Sequence, residues 1–374
     1  MAALRAAGQE VVDLTESNPT QAGFMYPAEL LAPLSAKEAR QYTPAPLGLR
    51  SAREAVAADY RRRGAEVDPE RIVLSASTSE AYSWLFKLLC NPGDAVLVPR
   101  PSYPLFEHLA RLEAVRAVPY ELRYHGRWEI DADTVARAPD DTRAVLVVSP
   151  NNPTGSFVSR KELDRIASVC RDRGWAIVAD EVFADYPLTV QTPDTEIVMN
   201  RNVLSFTLGG ASKSLGLPQV KLGWMVVDGP PQECQQALTA LEIIADTFLS
   251  VGTPVQVAAP ALLGGGETIR RQIRSRLAGN VARAREVARR YPSCSVLDVD
   301  GGWSLVVRVP ATRGEDALAL ELLERERVLV HPGYFFDFPH EAFIVVSLLP
   351  PEGIFADAFE RTLRCVSGTA ERQR

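Results

Sequence analysis

Four groups of polar residues in this chain each follow a short apolar run, and one of them holds a lysine in unusual company. In "FTLGGASKSLGLPQVKLGW" (206–224), Lys213 stands behind Gly209, Gly210, Ala211 and Ser212. A solvated lysine usually keeps polar neighbours at helical spacing, so a cation cleared of bulk on one side suits an amine that must reach a ligand. After "WAIVA", an apolar run delivers Asp180 and Glu181 to its end. A carboxylate in that place holds a proton on a ligand or caps a loop. After "IVLSA" comes "STSEAYSW", in which Ser77 and Glu80 have capping-box spacing and Thr78 and Ser79 bring hydroxyls to a helix start. Backbone N–H groups there form an anion site, and the same residues also read as an ordinary N-cap. After "AVLVVSP" comes "NNPTG" (151–155), which is a turn or a ligand-facing loop.

One chemistry uses all four groups together. A phosphate-bearing aldehyde cofactor needs an anion cradle, a lysine for a Schiff base and a carboxylate that keeps its ring nitrogen protonated. Pyridoxal phosphate has these requirements.

The elements that must position these residues read as an alternation. Strands are expected at 71–76, 94–99, 143–150, 175–180 and 202–208, each a continuous apolar run, as in a parallel sheet covered on both faces. Helices are expected at 79–89, 105–114 and 159–174, the last ending at Gly174. That order predicts a doubly wound α/β domain, whose ligands bind outside the carboxyl ends of the strands. Beyond about residue 275 the texture changes. A long Arg/Ala-rich helix, "SCSVLDVDGGWSLVVRVP", a helix near 316–326 and "FIVVSLLP" predict a smaller α+β domain. The first ~40 residues, with "DLTESNPT" and several prolines, are too irregular to fold alone. The reading therefore divides the chain into 42–272 and a second unit of 1–41 with 273–374.

The 374 residues are 46% hydrophobic and 24% charged, which supplies a core of ordinary size. A net charge of −6 opposes non-specific nucleic-acid binding, which needs a basic footprint. The five cysteines (Cys90, Cys170, Cys234, Cys294, Cys365) form no CxxC pair, and the four histidines form no HExxH pattern. A reducing, cytoplasmic setting without a zinc site is the expectation. No run reaches the ~18 apolar residues of a membrane helix.

The chain resembles the class I/II aminotransferases of the fold-type I pyridoxal-phosphate superfamily. The likeness is carried by "SNPT", "YTPAPLGLRSARE", "SASTSEA", "PRPSYP", "SPNNPTG", "VADEVF" and "ASKSLGLPQVKLGW", in that order. It implies a large, mostly parallel sheet domain, a smaller α+β domain and a homodimer acting on small amino and 2-oxo acids. By the same resemblance Lys213 carries the cofactor as a Schiff base and shuttles a proton once released. Asp180 pairs with the ring nitrogen, Asn152 bonds the ring hydroxyl and Tyr103 stacks on the ring. Thr78, Ser79, Ser212 and Lys221 hold the phosphate, helped by Tyr42 from across the dimer interface.

Three residues depart from the family pattern. Phe183 stands where a tyrosine usually donates to the ring oxygen, and Lys221 where an arginine usually grips phosphate, which keeps charge but loses the fork. Val345 of "FIVVSLL" stands where an arginine holds the substrate carboxylate. Arg308 and Arg50 are candidate substitutes, Trp303 a candidate pocket wall, and Phe336 and Phe338 core residues. A lyase, cyclase or oxidase on the same fold is the nearest alternative to transamination. A non-enzymatic cofactor-sensing domain is a more distant one.

Overall fold

The structure, a computed structural model, describes residues 8–189, 202–340 and 342–371. Residues 1–7, 190–201, 341 and 372–374 of the expected units lie outside the described residues.

Strand β1 (Val12–Asp13) stands apart from the eight that follow: β2 (Ile72–Ser75), β3 (Ala95–Arg100), β4 (Arg116–Tyr124), β5 (Trp128–Ile130), β6 (Thr142–Val148), β7 (Ala176–Asp180), β8 (Ser205–Gly210) and β9 (Gly223–Asp228). These eight make one sheet in the order β2-β9-β8-β7-β6-β3-β4-β5. Neighbours from β8 to β4 are parallel, while β9 and β5 run against theirs. The sheet is mostly parallel, as the alternation predicted.

Both faces of the sheet are covered, which explains the continuous apolar runs. On one face Trp84, Leu85, Phe106 and Leu241 pack with Val96, Leu146, Val178 and Phe206. On the other, Leu163, Ile166 and Cys170 pack with Leu97, Val145, Val147 and Ile177. Full burial of each such side chain contributes ~1.5–3 kcal/mol before chain entropy is counted. Helix Arg160–Arg173 shows how local and tertiary signals agree: Ser159 and Glu162 form a complete capping box, and Gly174 closes the helix in the left-handed region.

The rest of the chain adds β10 (Ser295–Val296), β11 (Ser304–Arg308), β12 (Val328–Leu329), β13 (His331–Pro332) and β14 (Phe343–Ser347). Four of these form an antiparallel sheet ordered β10-β11-β14-β13. Helices Glu267–Ala288 and Glu352–Glu371 add Ile273, Leu277, Phe355 and Phe359 to the core around it. The N-terminal segment has little regular structure of its own. Its β1 pairs with β12 in parallel, and the Ser347 N–H donates to Leu14 O at 2.6 Å.

Two local readings are corrected. Ser77 accepts from Glu80 N–H, but the Glu80 carboxylate turns to Ala76 N–H at 2.6 Å and the Ser250 hydroxyl at 2.7 Å, so the capping box is half made. The helix expected near 316–326 is α-helical only over Glu315–Glu321; a π turn, Leu322–Glu326, follows and Arg327 ends it at φ 56°.

Candidate active site

The strands bring three of the four polar groups to one rim. Asp180 ends β7, Lys213 lies three residues past the end of β8, and Thr78 lies three past β2. The short antiparallel β9 stitches the last two together, because Gly223 pairs with both Ser75 and Gly210. A side chain on Gly223 would meet the Ser75 hydroxyl at 2.9 Å and the Ser77 backbone at 3.0 Å, so only glycine lets the helix start approach so closely.

Asp180 is buried, and both its oxygens are engaged. Oδ2 accepts from the Tyr82 hydroxyl at 3.0 Å and Oδ1 from Val182 N–H at 3.1 Å. Burial pushes its carboxyl up to about 6, opposed by the two donors and by the charge of Lys213. The Lys213 amine is shifted the opposite way: burial lowers it, and the Asp180 charge opposes that fall. Each charge thus partly offsets the cost of burying the other.

Aromatic rings wall the amine. Lys213 Nζ lies 5.0 Å from the Trp303 ring centroid and 5.8 Å from that of Phe183. Those rings meet edge to face at 5.3 Å, and Tyr186 packs on Trp303 at the same separation. The Tyr186 hydroxyl donates to Lys213 O at 2.8 Å and to Ser214 O at 3.1 Å, which fixes the lysine's backbone. Phe183 offers no hydroxyl in this wall, in keeping with its departure from the family pattern.

Asn152 ties the rim to the second sheet, its Oδ1 accepting from the Ser304 hydroxyl at 3.1 Å. That use of the oxygen leaves its Nδ2 as donor for a ligand. Thr78 and Ser79 open helix Thr78–Leu89 behind the Ser77 cap, Ser212 adjoins Lys213, and Lys221 is exposed in the left-handed region at φ 59°. A lysine held there is a strained feature of the kind that clusters at ligand sites.

The other expected residues make none of the contacts described above. Tyr103 is 44% exposed and lines a cleft with Arg111, Tyr334 and Asp337. Tyr42 is 70% exposed. Arg50 is bound to Glu54 and Glu70 at 2.8 and 2.7 Å, and Arg308 lies in a different cleft beside Tyr124, Trp128 and Phe338. Neither arginine joins the wall around Lys213. Val345 is buried opposite Val306 and His331; Phe336 and Phe338 are core, as expected. Gly209 has a packing reason of its own: a side chain there would lie 2.4 Å from Trp224 Nε1, so this glycine admits the Trp224 indole.

Sequence reasoning missed Tyr82 and Tyr186. Tyr82 sits four residues after Thr78 and three after Ser79, on one helix face with them. That spacing was the available signal.

A family model described as aminotransferase class I and II matches residues 9–353. The glutamate–pyruvate aminotransferase AlaA of Escherichia coli K12 is 29% identical over 98% of this chain and 92% of its own length. An alanine aminotransferase of Mycobacterium tuberculosis is 26% identical, covering 96% of this chain and 86% of its own. The crystal structure of an Escherichia coli aminotransferase superposes with a TM-score of 0.88 at 29% identity, over 98% of this chain and 93% of that one.

Proposed function

We propose, from the premise that the chain belongs to the class I and II aminotransferases, a site that holds pyridoxal 5'-phosphate on Lys213. The protein is an aminotransferase, a transferase of small molecules. The observation that carries the site assignment is the placement of Lys213 and buried Asp180 at the ends of the adjacent parallel strands β8 and β7, with a hydroxyl-bearing helix start on the same rim.

The residues present fit the cofactor. Pyridoxal phosphate supplies an aldehyde that takes up amines and a protonated ring that draws electrons from them. Lys213 holds the aldehyde carbon, and its lowered basicity lets the freed amine take and return the proton at the substrate's α-carbon. Asp180 holds a proton at the ring nitrogen. Asn152 Nδ2 would donate to the ring hydroxyl, and Tyr103, which is 44% exposed and so open to a ligand, would cover the ring. Thr78, Ser79, Ser212 and Lys221 hold the phosphate. The aromatic wall of Phe183, Trp303 and Tyr186 excludes water from the amine. The units 42–272 and 1–41 with 273–374 close over this rim, joined through Asn152 and Ser304.

The relatives' names make glutamate, alanine and pyruvate the first substrates to test. Glutamate with pyruvate and the cofactor-loaded chain is expected to give alanine and 2-oxoglutarate in equal amounts. Release of ammonia with pyruvate untouched would overturn transamination in favour of a lyase or oxidase. No arginine stands in Phe343–Ser347, so the carboxylate lacks its usual fork. An amino acid is therefore expected to outpace its decarboxylated amine by less than about a hundredfold, against the several kcal/mol of a buried, paired carboxylate. A larger preference would require a cation at the site.

The chain works as a homodimer, with Tyr42 reaching the neighbour's phosphate. Exposed Tyr42, Ile243, Phe248 and Leu249 support this, being large apolar side chains left open on one copy. Sedimentation is expected to give twice the 40.9 kDa of the chain; an active species of single mass would remove Tyr42 from the site. The scattered thiols suit a cytoplasmic setting. Among the described residues no helix is long and apolar enough to cross a membrane.

A further inference from the structure

We infer that Tyr82 is a positioning residue for the transamination site: its buried hydroxyl holds Asp180 ionised and aimed, and its helix sets the span between the carboxylate and the phosphate cradle. This rests on the assignment of Asp180 and Lys213 above.

The geometry has three parts. The Tyr82 side chain is 2% exposed and its hydroxyl donates to Asp180 Oδ2 at 3.0 Å, across 98 residues of sequence. Oδ1 takes Val182 N–H, so each carboxylate oxygen has one fixed donor and one lone pair left for a ligand. The Tyr82 ring is itself wedged, edge-on to Phe106 at 5.3 Å and tilted on Phe86 at 6.1 Å. Ring packing therefore fixes where the hydroxyl points, and the hydroxyl fixes the carboxylate.

The helix adds the second function. Thr78, Ser79 and Tyr82 fall at i, i+1 and i+4 of helix Thr78–Leu89, one turn apart on a neighbouring face. One rigid turn thus carries the hydroxyls offered to an anion and the donor that grips Asp180. A ligand with an anionic group at one end and a basic ring atom at the other meets both ends of a fixed gauge.

Other charged groups around Asp180 do not replace this donor. Lys213 acts on Asp180 through charge alone. Adjacent Glu181 faces Arg63 at 3.6 Å and is itself pushed up to about 7 by burial. The charges of Asp180 and Asp185 help to raise Glu181, which donates nothing to Asp180. Tyr120 faces Tyr82, and its hydroxyl is spent on Leu146 O at 2.9 Å. Tyr82 is the one side-chain hydrogen-bond donor to Asp180 among the described residues.

Tyr82→Phe removes the hydroxyl and keeps the ring, so the fold and the Phe106 contact survive. In the full chain without cofactor, carbon-13 NMR of labelled aspartates follows the Asp180 carboxyl, identified by its disappearance in Asp180→Asn. Its midpoint is expected to rise by about one to two pH units in Tyr82→Phe, the worth of a hydrogen bond to an ionised group. In the cofactor-loaded enzyme kcat is expected to fall about tenfold or more with KM for the amino donor nearly unchanged. An Asp180 midpoint and kcat that both match wild type, with only the melting temperature lowered, would overturn the inference and leave Tyr82 a core residue. If Asp180→Asn also turns over like wild type, the failure lies in the assignment of Asp180.

Discussion

Lys213→Ala is expected to abolish transamination, with kcat down at least about 10³-fold, because two roles go at once. A positioned proton carrier alone contributes about 10²–10⁴-fold, and in the proposed site the same amine would also be the covalent anchor for the cofactor. Among the described residues no second amine is seen beside it: the rings next to Nζ are Phe183 and Trp303, with Tyr186 packed on Trp303. Lys221, eight residues on, is exposed with its backbone held in the left-handed region. The fold should survive, since removing a buried charge also removes its desolvation cost. Steady-state turnover, read with the variant's melting temperature, checks this. A variant that retains a tenth of wild-type kcat would take the lysine out of the chemistry.

Asp180→Asn is expected to cost about 10²–10³-fold in kcat, the scale of losing one preorganised electrostatic partner in a site closed to water. The asparagine side chain has the same shape, and its oxygen still accepts from Tyr82 or Val182, so packing is conserved. What disappears is the negative charge that, in the proposed site, would hold a proton on the ring nitrogen. Its loss also removes the attraction that opposes the fall in Lys213 basicity, so the Lys213 amine should lose its proton at still lower pH. Turnover within a few-fold of wild type would mean that Asp180 only caps the turn at Val182.

Most of the sheet and the poles of the site were legible in the sequence. β7 and β8 announced themselves because strands buried on both faces are apolar without alternation, so the polar residues after them stood out as rim residues. β4 was not legible. It is an outer strand carrying Pro119, Arg116, Glu121 and Arg123, half open to solvent, and its pattern resembles a loop. β9 was missed because its first residues, Gly223 and Trp224, read as the tail of the motif that contains Lys213. Tyr82 was masked by its own helix, where Trp84, Leu85 and Phe86 make one more aromatic look like core. Gly209 was read as room for a ligand, and the Trp224 indole occupies that room. Arg308 and Arg50 were weighed for charge alone; partners and placement are tertiary facts that sequence spacing does not contain.

Borohydride reduction fixes in place whatever lysine carries the cofactor, and so reads out whether it is Lys213. The full chain is loaded with pyridoxal phosphate, reduced, digested and its peptides weighed. One phosphopyridoxyl group per chain is expected, on the peptide containing Lys213, and none when the same treatment is applied to Lys213→Ala. A label on Lys221 or any other lysine, with Lys213 unmodified, would contradict it.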